Sequence, residues 1–306
     1  MKIYHEIPHL ENTAVALGCF DGVHLGHQAV IHATDGGALT RTVFSFSDDA
    51  AYKGGASHLV TFKDKCRMLE AMGVEHLIVP PFESVKAYSP EQFFREMLVG
   101  KLGVKRIACG ENYRFGRYAA GTAETMQALC REHQIDCRVV APVVYRDEII
   151  SSSRIRRALA DGAVDEAGAM LGRLFGYCFE VVHGRRLGRT LGTPTLNQYF
   201  PAHFLIPRYG VYASVTEWNG QCYHSVTNIG VKPTVGSPMP LSETWVPDFS
   251  GDLYGQSVRV NLVKYMRDEC KFDSIEQLKQ AILQDGVNSK RLTAAYMRNG
   301  GEQFGV

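Results

Sequence analysis

The string Gly18-Cys19-Phe20-Asp21-Gly22-Val23-His24-Leu25-Gly26-His27 concentrates residue types that handle phosphate. Gly18, Gly22 and Gly26 allow a backbone to approach a ligand closely. A helix opening at Leu25 offers free N–H groups and the positive end of its dipole. His24 and His27, three apart, can both face one bound anion. Together such groups stabilise charge that builds on a triphosphate as pyrophosphate leaves. The plain structural alternative is a glycine turn with two surface histidines.

A second constellation runs from Gly184 to Asn197. Its Gly184-Arg185-Arg186-Leu187-Gly188 start leads to Gly192-Thr193-Pro194-Thr195-Leu196-Asn197 and combines glycines, cations and a rigid proline. On an extended chain Thr195 and Asn197 point to one face, where both can offer oxygens to one Mg²⁺. No GxxxxGK[ST] string occurs, so P-loop chemistry has no support. Farther on, Ser242-Glu243-Thr244-Trp245-Val246-Pro247-Asp248-Phe249 holds a carboxylate, Glu243, near a turn. Taken alone, such a residue belongs to a solvated surface.

These residues need elements to position them. Ala14–Gly18, Arg41–Phe46, His76–Pro80, Arg106–Gly110 and Arg138–Val144 read as strands. Between them, Leu25–Thr34, Lys63–Met72, Pro90–Leu102 and Thr122–His133 read as helices. Phe93, Phe94, Met97 and Leu98 recur at helical spacing as a core stripe. Alternation of this kind predicts a parallel sheet with helices on both faces and ligands beyond the carboxyl ends of its strands. Two short helices follow, Ser153–Ala160 and Val164–Leu171. After about Gly176 the texture turns to Val, Tyr and Thr. Tyr177–His183, Gly210–Trp218, Gln221–Ile229 and Ser257–Tyr265 read as strands, with Asn219-Gly220 as a hairpin turn. Helices at Ser274–Leu283, with a capping box, and at Ser289–Met297 close the chain. Lys63, Lys65 and Arg67 read as a solvated helix face, although Leu59-Val60-Thr61 followed by Lys65 also resembles a known family.

In order along the chain, these motifs resemble the bacterial bifunctional riboflavin kinase/FAD synthetase family. The first string is similar to the HxGH-type signature of nucleotidyltransferases. Gly110-Glu111-Asn112-Tyr113-Arg114-Phe115-Gly116 resembles the family's G-x-[DN]-F-R-F-G loop. Ile150-Ser151-Ser152-Ser153-Arg154-Ile155-Arg156 resembles its I-S-S-T-x-I-R segment. Thr193 to Asn197, Gly210-Val211-Tyr212, Asn228-Ile229-Gly230, Pro233-Thr234, Glu243-Thr244, Asp248-Phe249, Leu253-Tyr254-Gly255 and Arg267-x-Glu269-x-Lys271-Phe272 follow the riboflavin kinase order.

The resemblance implies an α/β plus β architecture. A Rossmann-like parallel-sheet nucleotidyltransferase domain would occupy residues 1–175. A small antiparallel β-barrel flavokinase domain with C-terminal helices would occupy 176–306. It implies riboflavin, FMN and ATP as substrates, FAD as product, and Mg²⁺. By the same resemblance, Gly18, Phe20, Asp21, Gly22, Gly26, Ser152, Ser153, Arg154 and Arg156 bind nucleotide in the first domain, and Gly184, Gly188 and Thr193 in the second. Asn112, Arg114, Phe115, Tyr254 and Arg267 bind flavin, Thr195 and Asn197 hold Mg²⁺, and Glu243 is a general base. His24 and His27 are catalytic.

There are departures. Phe46-Ser47-Asp48-Asp49-Ala50 stands where the family shows F-x-P-H-P, and carboxylates beside a triphosphate repel it unless Mg²⁺ lies between. Trp245 replaces the His of an E-T-H segment. Alternatives are therefore a riboflavin kinase alone, a non-catalytic flavin or nucleotide sensor, or transfer to another phosphorylated substrate.

Composition bounds all of this. The 306 residues fit about two domains of roughly 150 residues. With 33 Lys plus Arg against 32 Asp plus Glu, the net charge of +1 argues against a strongly basic nucleic-acid binder. No apolar run of about 18 residues is present to span a bilayer. The first residues lack a signal-peptide core, and the eight cysteines, none in a CxxC pair, read as reduced core thiols. The expected compartment is the cytoplasm, with no nucleic-acid, membrane or obligate protein partner.

Overall fold

The structure, a computed structural model, describes residues 1–46, 57–183, 193–232 and 239–298. Its contacts divide the chain into two compact units, Met1–Ser152 and Ser153–Val306.

The first unit is built on a six-stranded parallel sheet. Its strands are β1 (Lys2–Tyr4), β2 (Thr13–Leu17), β3 (Thr40–Phe44), β4 (His76–Ile78), β5 (Val104–Gly110) and β6 (Asp136–Val140), in the order β1-β4-β3-β2-β5-β6. Every residue of β2 is buried, as an apolar strand covered on both faces requires. Helices α1 (Leu25–His32), α2 (Phe62–Ala71) and α4 (Ala123–Glu132) are each opened by a side-chain cap, from His24, Thr61 and Thr122. The short α3 (Pro90–Gln92) starts on a Ser89–Gln92 capping box and runs on as a π-helical stretch, Phe93–Lys101. Phe93, Phe94, Met97 and Leu98 are buried in the core, as their spacing predicts. After β2 the chain moves outward through β3 to β4; it then returns to place β5 on the other side of β2. The segments leaving β2 and β5 thus share one end of the sheet at its switch point, where such sheets bind ligands.

The second unit holds α5 (Ser152–Ala160) from its second residue on, then α6 (Val164–Leu171); α6 packs on strands β9 and β14. Its sheet is antiparallel, in the order β10-β13-β12-β11-β14-β9. The strands are β9 (Phe175–Glu180), β10 (Thr195–Tyr199), β11 (Gly210–Trp218), β12 (Gln221–Lys232), β13 (Met239–Trp245) and β14 (Ser257–Arg267). The two edges meet where Val182 N–H donates to the Asn197 carbonyl at 2.8 Å, curling the sheet into a small barrel. Asn219 and Gly220 adopt positive φ (49° and 73°), the turn that Asn-Gly specifies between β11 and β12. Buried hydroxyls satisfy one another across strands: Ser214 with Ser225 and with Thr227 at 2.8 Å, and Thr227 with Thr244 at 2.9 Å.

Four expectations are corrected. The two closing helices are one, α7 (Ile275–Arg298): Gly286, near the expected break, stays helical with Trp245 packed against it. The fifth strand ends at Val140, because Val144 pairs instead in a ribbon of β7 (Val144–Tyr145) and β8 (Glu148–Ile149). All eight cysteines are free, but only Cys109 and Cys130 are buried, and Cys270 is exposed. Lys63 and Arg67 are exposed, whereas Lys65 is buried, because Lys65, Leu69 and Met72 follow the inward face of α2 and its turn.

Candidate functional site

The first candidate site lies in the chain that leaves β2. Gly22 has φ +83°, and Phe20 and Val23 adopt positive φ (53° and 40°) without being glycine. A Cβ on Gly18 would sit 3.0 Å from the Phe20 ring, so glycine is what lets that ring fold back over the strand end. Asp21, 3% exposed, does not reach solvent. Its Oδ1 accepts the Leu59 N–H at 3.0 Å, and its carbonyl accepts the Ser152 hydroxyl at 2.9 Å.

His24 is the N-cap of α1: its Nδ1 accepts the His27 N–H at 3.2 Å. The two imidazoles stack, with centroids 3.5 Å apart and an 18° interplanar angle. A Cβ on Gly26 would lie 3.2 Å from the His24 ring, so Gly26 opens the space for that ring. The surface-histidine alternative fails for His24, which is buried. The pair instead forms a stacked platform on a helix N-terminus, suited to an anion.

In the segment after β5, Asn112 and Arg114 are exposed. Phe115 is a core side chain packed on Phe93, with Tyr113 stacked on it at 5.7 Å. Burial raises the Tyr113 phenol well above its ordinary range and keeps it protonated. Ser152 opens α5 against the Asp21 carbonyl; Ser153, Arg154 and Arg156 continue along that helix, within the second unit. Residues 47–50 lie outside the described residues.

The second candidate site is a cavity of about 810 Å³ in the second unit. Strand pairing sets its floor. Asn197 on β10 is opposite Glu243 on β13, Glu243 opposite Asn228 on β12, Asn228 opposite Val211 on β11, and Val211 opposite Arg267 on β14. This row of five residues from five strands lines the cavity. One step along, Thr195 is opposite Trp245, so Thr195 and Asn197 share a face as their spacing predicts. Thr193 Oγ1 and Asn197 Oδ1 are buried and have no hydrogen-bond partner among the described residues. Asn197 Nδ2 is used, donating to the Thr195 carbonyl at 3.2 Å, which leaves its Oδ1 as an acceptor. Orphaned oxygens beside a strand carboxylate fit a hard cation. No cluster of three His, Cys, Asp or Glu that could hold a metal occurs among the described residues, so a cation here would depend on neutral oxygens and its ligand.

The rest of the lining divides by chemistry. Trp245, Phe249, Leu253, Phe272, Leu278 and Ile282 give apolar surface; Arg267, Glu269 and Asp285 give charge. Arg267 pairs with Asp285 on α7 at 2.7 and 3.2 Å, tying β14 to that helix. This pairing holds the guanidinium above its ordinary range. Asn228 Nδ2 donates to Glu269 Oε1 at 2.9 Å. Tyr254 lies against His183 with ring centroids 3.8 Å apart. Glu243 is half-buried on a strand rather than solvated on a turn. Gly184 and Gly188 lie outside the described residues.

Sequence reasoning brought together His24 with His27, and Thr195 with Asn197 and Glu243. It named Asn228 only within a matched string and gave it no role, since its neighbours come from strand register, and it gave Lys65 a solvated face, although the spacing of Leu69 and Met72 turns it inward.

The same division appears in known proteins. A family model described as FAD synthetase matches residues 6–154, and one described as riboflavin kinase matches 171–293. Three relatives carry the name bifunctional riboflavin kinase/FMN adenylyltransferase. That of Bacillus subtilis is 36% identical over 89% of this chain and 90% of its own. That of Haemophilus influenzae is 34% identical over 92% and 94%, and that of Escherichia coli is 31% identical over 92% of each. A solved structure titled as a macrolide-efflux protein from Streptococcus pneumoniae is similar at TM-score 0.84 and 29% identity, over 94% of this chain and 98% of that one. No helix among the described residues is long and apolar enough to cross a membrane.

Proposed function

Because the chain belongs to the bifunctional riboflavin kinase/FMN adenylyltransferase family, we propose that it phosphorylates riboflavin to FMN and then adenylylates FMN to FAD. Residues 176–306 carry the kinase and residues 1–175 the adenylyltransferase. The observation that carries the kinase reading is the Asn197–Glu243–Asn228 row on the cavity floor.

An amphipathic cavity suits an aromatic ring bearing a polyol. The ring system packs against Trp245, Phe249 and the α7 side chains Leu278 and Ile282; the ribityl chain runs toward Glu243. Glu243 accepts the proton of the 5′-hydroxyl as that oxygen attacks the γ-phosphorus of ATP. Asn197, Thr195 and Thr193 face the phosphates and hold Mg²⁺, which when bound offsets their charge. Tyr254 and Arg267 bound the flavin end, and Gly184 and Gly188 belong to the nucleotide segment.

In the first unit, the FMN phosphate attacks the α-phosphorus of ATP with no covalent enzyme intermediate. His24, His27 and the α1 N–H groups stabilise the charge that builds as pyrophosphate departs. Gly18, Phe20, Asp21, Gly22 and Gly26 shape the backbone around the triphosphate, and Ser152 adds a hydroxyl. Asn112 and Arg114 offer exposed polar contacts to flavin, with Phe115 supporting them from the core. The protein acts in the cytoplasm, where its free thiols stay reduced.

The test is Glu243→Gln. It is expected to lower FMN formation by about 10²–10⁴-fold while FMN supplied directly still becomes FAD. Undiminished FMN formation in this variant would refute the assignment of the base.

A further inference from the structure

Beneath the first site lies a charge that the mechanism above does not use. Lys65, 3% exposed on α2, turns its ammonium toward the end of β2. It donates to the Cys19 carbonyl at 2.6 Å and to the Ser45 hydroxyl at 2.7 Å. Ser45 in turn donates to the same carbonyl at 2.9 Å. The next residue is Phe20, one of two non-glycine residues between β2 and α1 with positive φ. Such backbone strain persists only where surrounding contacts over-determine it.

A neutral donor would suffice to hold a carbonyl, and Ser45 already supplies one. A dry ammonium is costly to keep, because burial strips its hydration. That cost is recovered when an anion occupies the adjoining cradle.

We propose that Lys65 is a positioning residue of the adenylyl-transfer site. Its ammonium pins the Cys19 carbonyl, fixes the strained path into the His24–His27 platform, and couples that path to the charge of the bound triphosphate. This rests on the adenylyl-transfer reading of the first unit. The groups facing the ammonium are Cys19 and Asp21 from the segment after β2 and Cys66 from its own helix. Desolvation lowers the Lys65 pKa to about 8, against the pull of those three groups.

The experiment measures kcat/KM for ATP in FMN adenylylation from pH 6 to 10, in the full-length wild type, Lys65→Met and Cys19→Ser. The wild type is expected to lose activity above a pKa near 8. Cys19→Ser keeps that limb. Lys65→Met falls by about tenfold or more at pH 7 and has no limb. Its kinase rate and thermal midpoint stay near those of the wild type. Lys65→Met with unchanged kcat/KM and an unchanged profile would overturn the proposal. Equal losses of kinase rate and thermal midpoint would also overturn it, since they mark a merely structural lysine. If Lys65→Met does not fold, the wild type decides: a limb retained in Cys19→Ser supports the proposal, and a flat profile overturns it. A wild type that forms no FAD from FMN at any pH removes the reading beneath.

Discussion

At the scale of single residues, the two sites differ in how they use local sequence. His24 serves α1 twice, as N-cap and as one face of the imidazole stack. His24→Ala is therefore expected to lose about 1 kcal/mol of stability along with adenylyl transfer, read by thermal melts and FAD formation. His27→Ala, which does not remove the cap, should lose the activity with less change in melting. In the kinase site, Asn197→Ala removes the orphaned Oδ1. The expected result is an increase of about tenfold or more in the Mg²⁺ needed for half-maximal FMN formation, with adenylylation from FMN unaffected. Lys65 gives a pH signature in stability. Its folded pKa lies below the ordinary 10.5, so the unfolded chain binds more protons between about pH 8 and 10.5. Wild-type stability should therefore rise relative to Lys65→Met across that window and hold a constant difference below it, measured by urea unfolding. The HxGH-type string and Thr195-x-Asn197 were legible because their chemistry is local. Glu243 read alone as a surface carboxylate, and Asn228, named only within a matched string, was given no role, because their meaning comes from partners on other strands. Lys65 misled because its charge outweighed the helical spacing that places it inside.

Among the elements, α7 shows why boundaries were harder to read than faces. Glycine in a helix interior ordinarily costs about 1 kcal/mol against alanine, which favours a break near Gly286. Here the missing side chain is the point of contact: a Cβ would lie 2.7 Å from Trp245 Cζ3. Gly286→Ala is thus expected to lose the propensity gain, push the indole into the cavity and weaken riboflavin binding several-fold. Combining it with Trp245→Phe should restore part of that binding, read by flavin fluorescence titration. The same contact joins a large ring on β13, Trp245, to a bare turn of helix at Gly286. Strands β10 and β13 were missed as elements, although the pairing of Thr195 and Asn197 on one face was foreseen. Alternation in β10 is broken by its seam position, and β13 carries Ser242 and Thr244 buried within the hydroxyl network, where apolar periodicity gives no mark. β1 is three residues long and largely exposed, too short to show a pattern.

For the whole molecule, the alternation in the first half and the hairpin-rich texture of the second were enough to read two architectures. What the texture did not show was that α5 and α6 associate with the second unit, since both helices read alike whichever sheet covers them. On the proposed assignment each activity has its own residues, so lesions should separate: Glu243→Gln is expected to lower FMN formation alone, and His27→Ala to lower FAD formation alone. The most direct measurement incubates the purified protein with riboflavin, excess ATP and Mg²⁺ and separates the flavins over time. The expected course is FMN first, then FAD, with pyrophosphate released in step with FAD. FMN that accumulates without FAD, even when FMN is supplied directly, would contradict the adenylyltransferase half; absence of any product would contradict both.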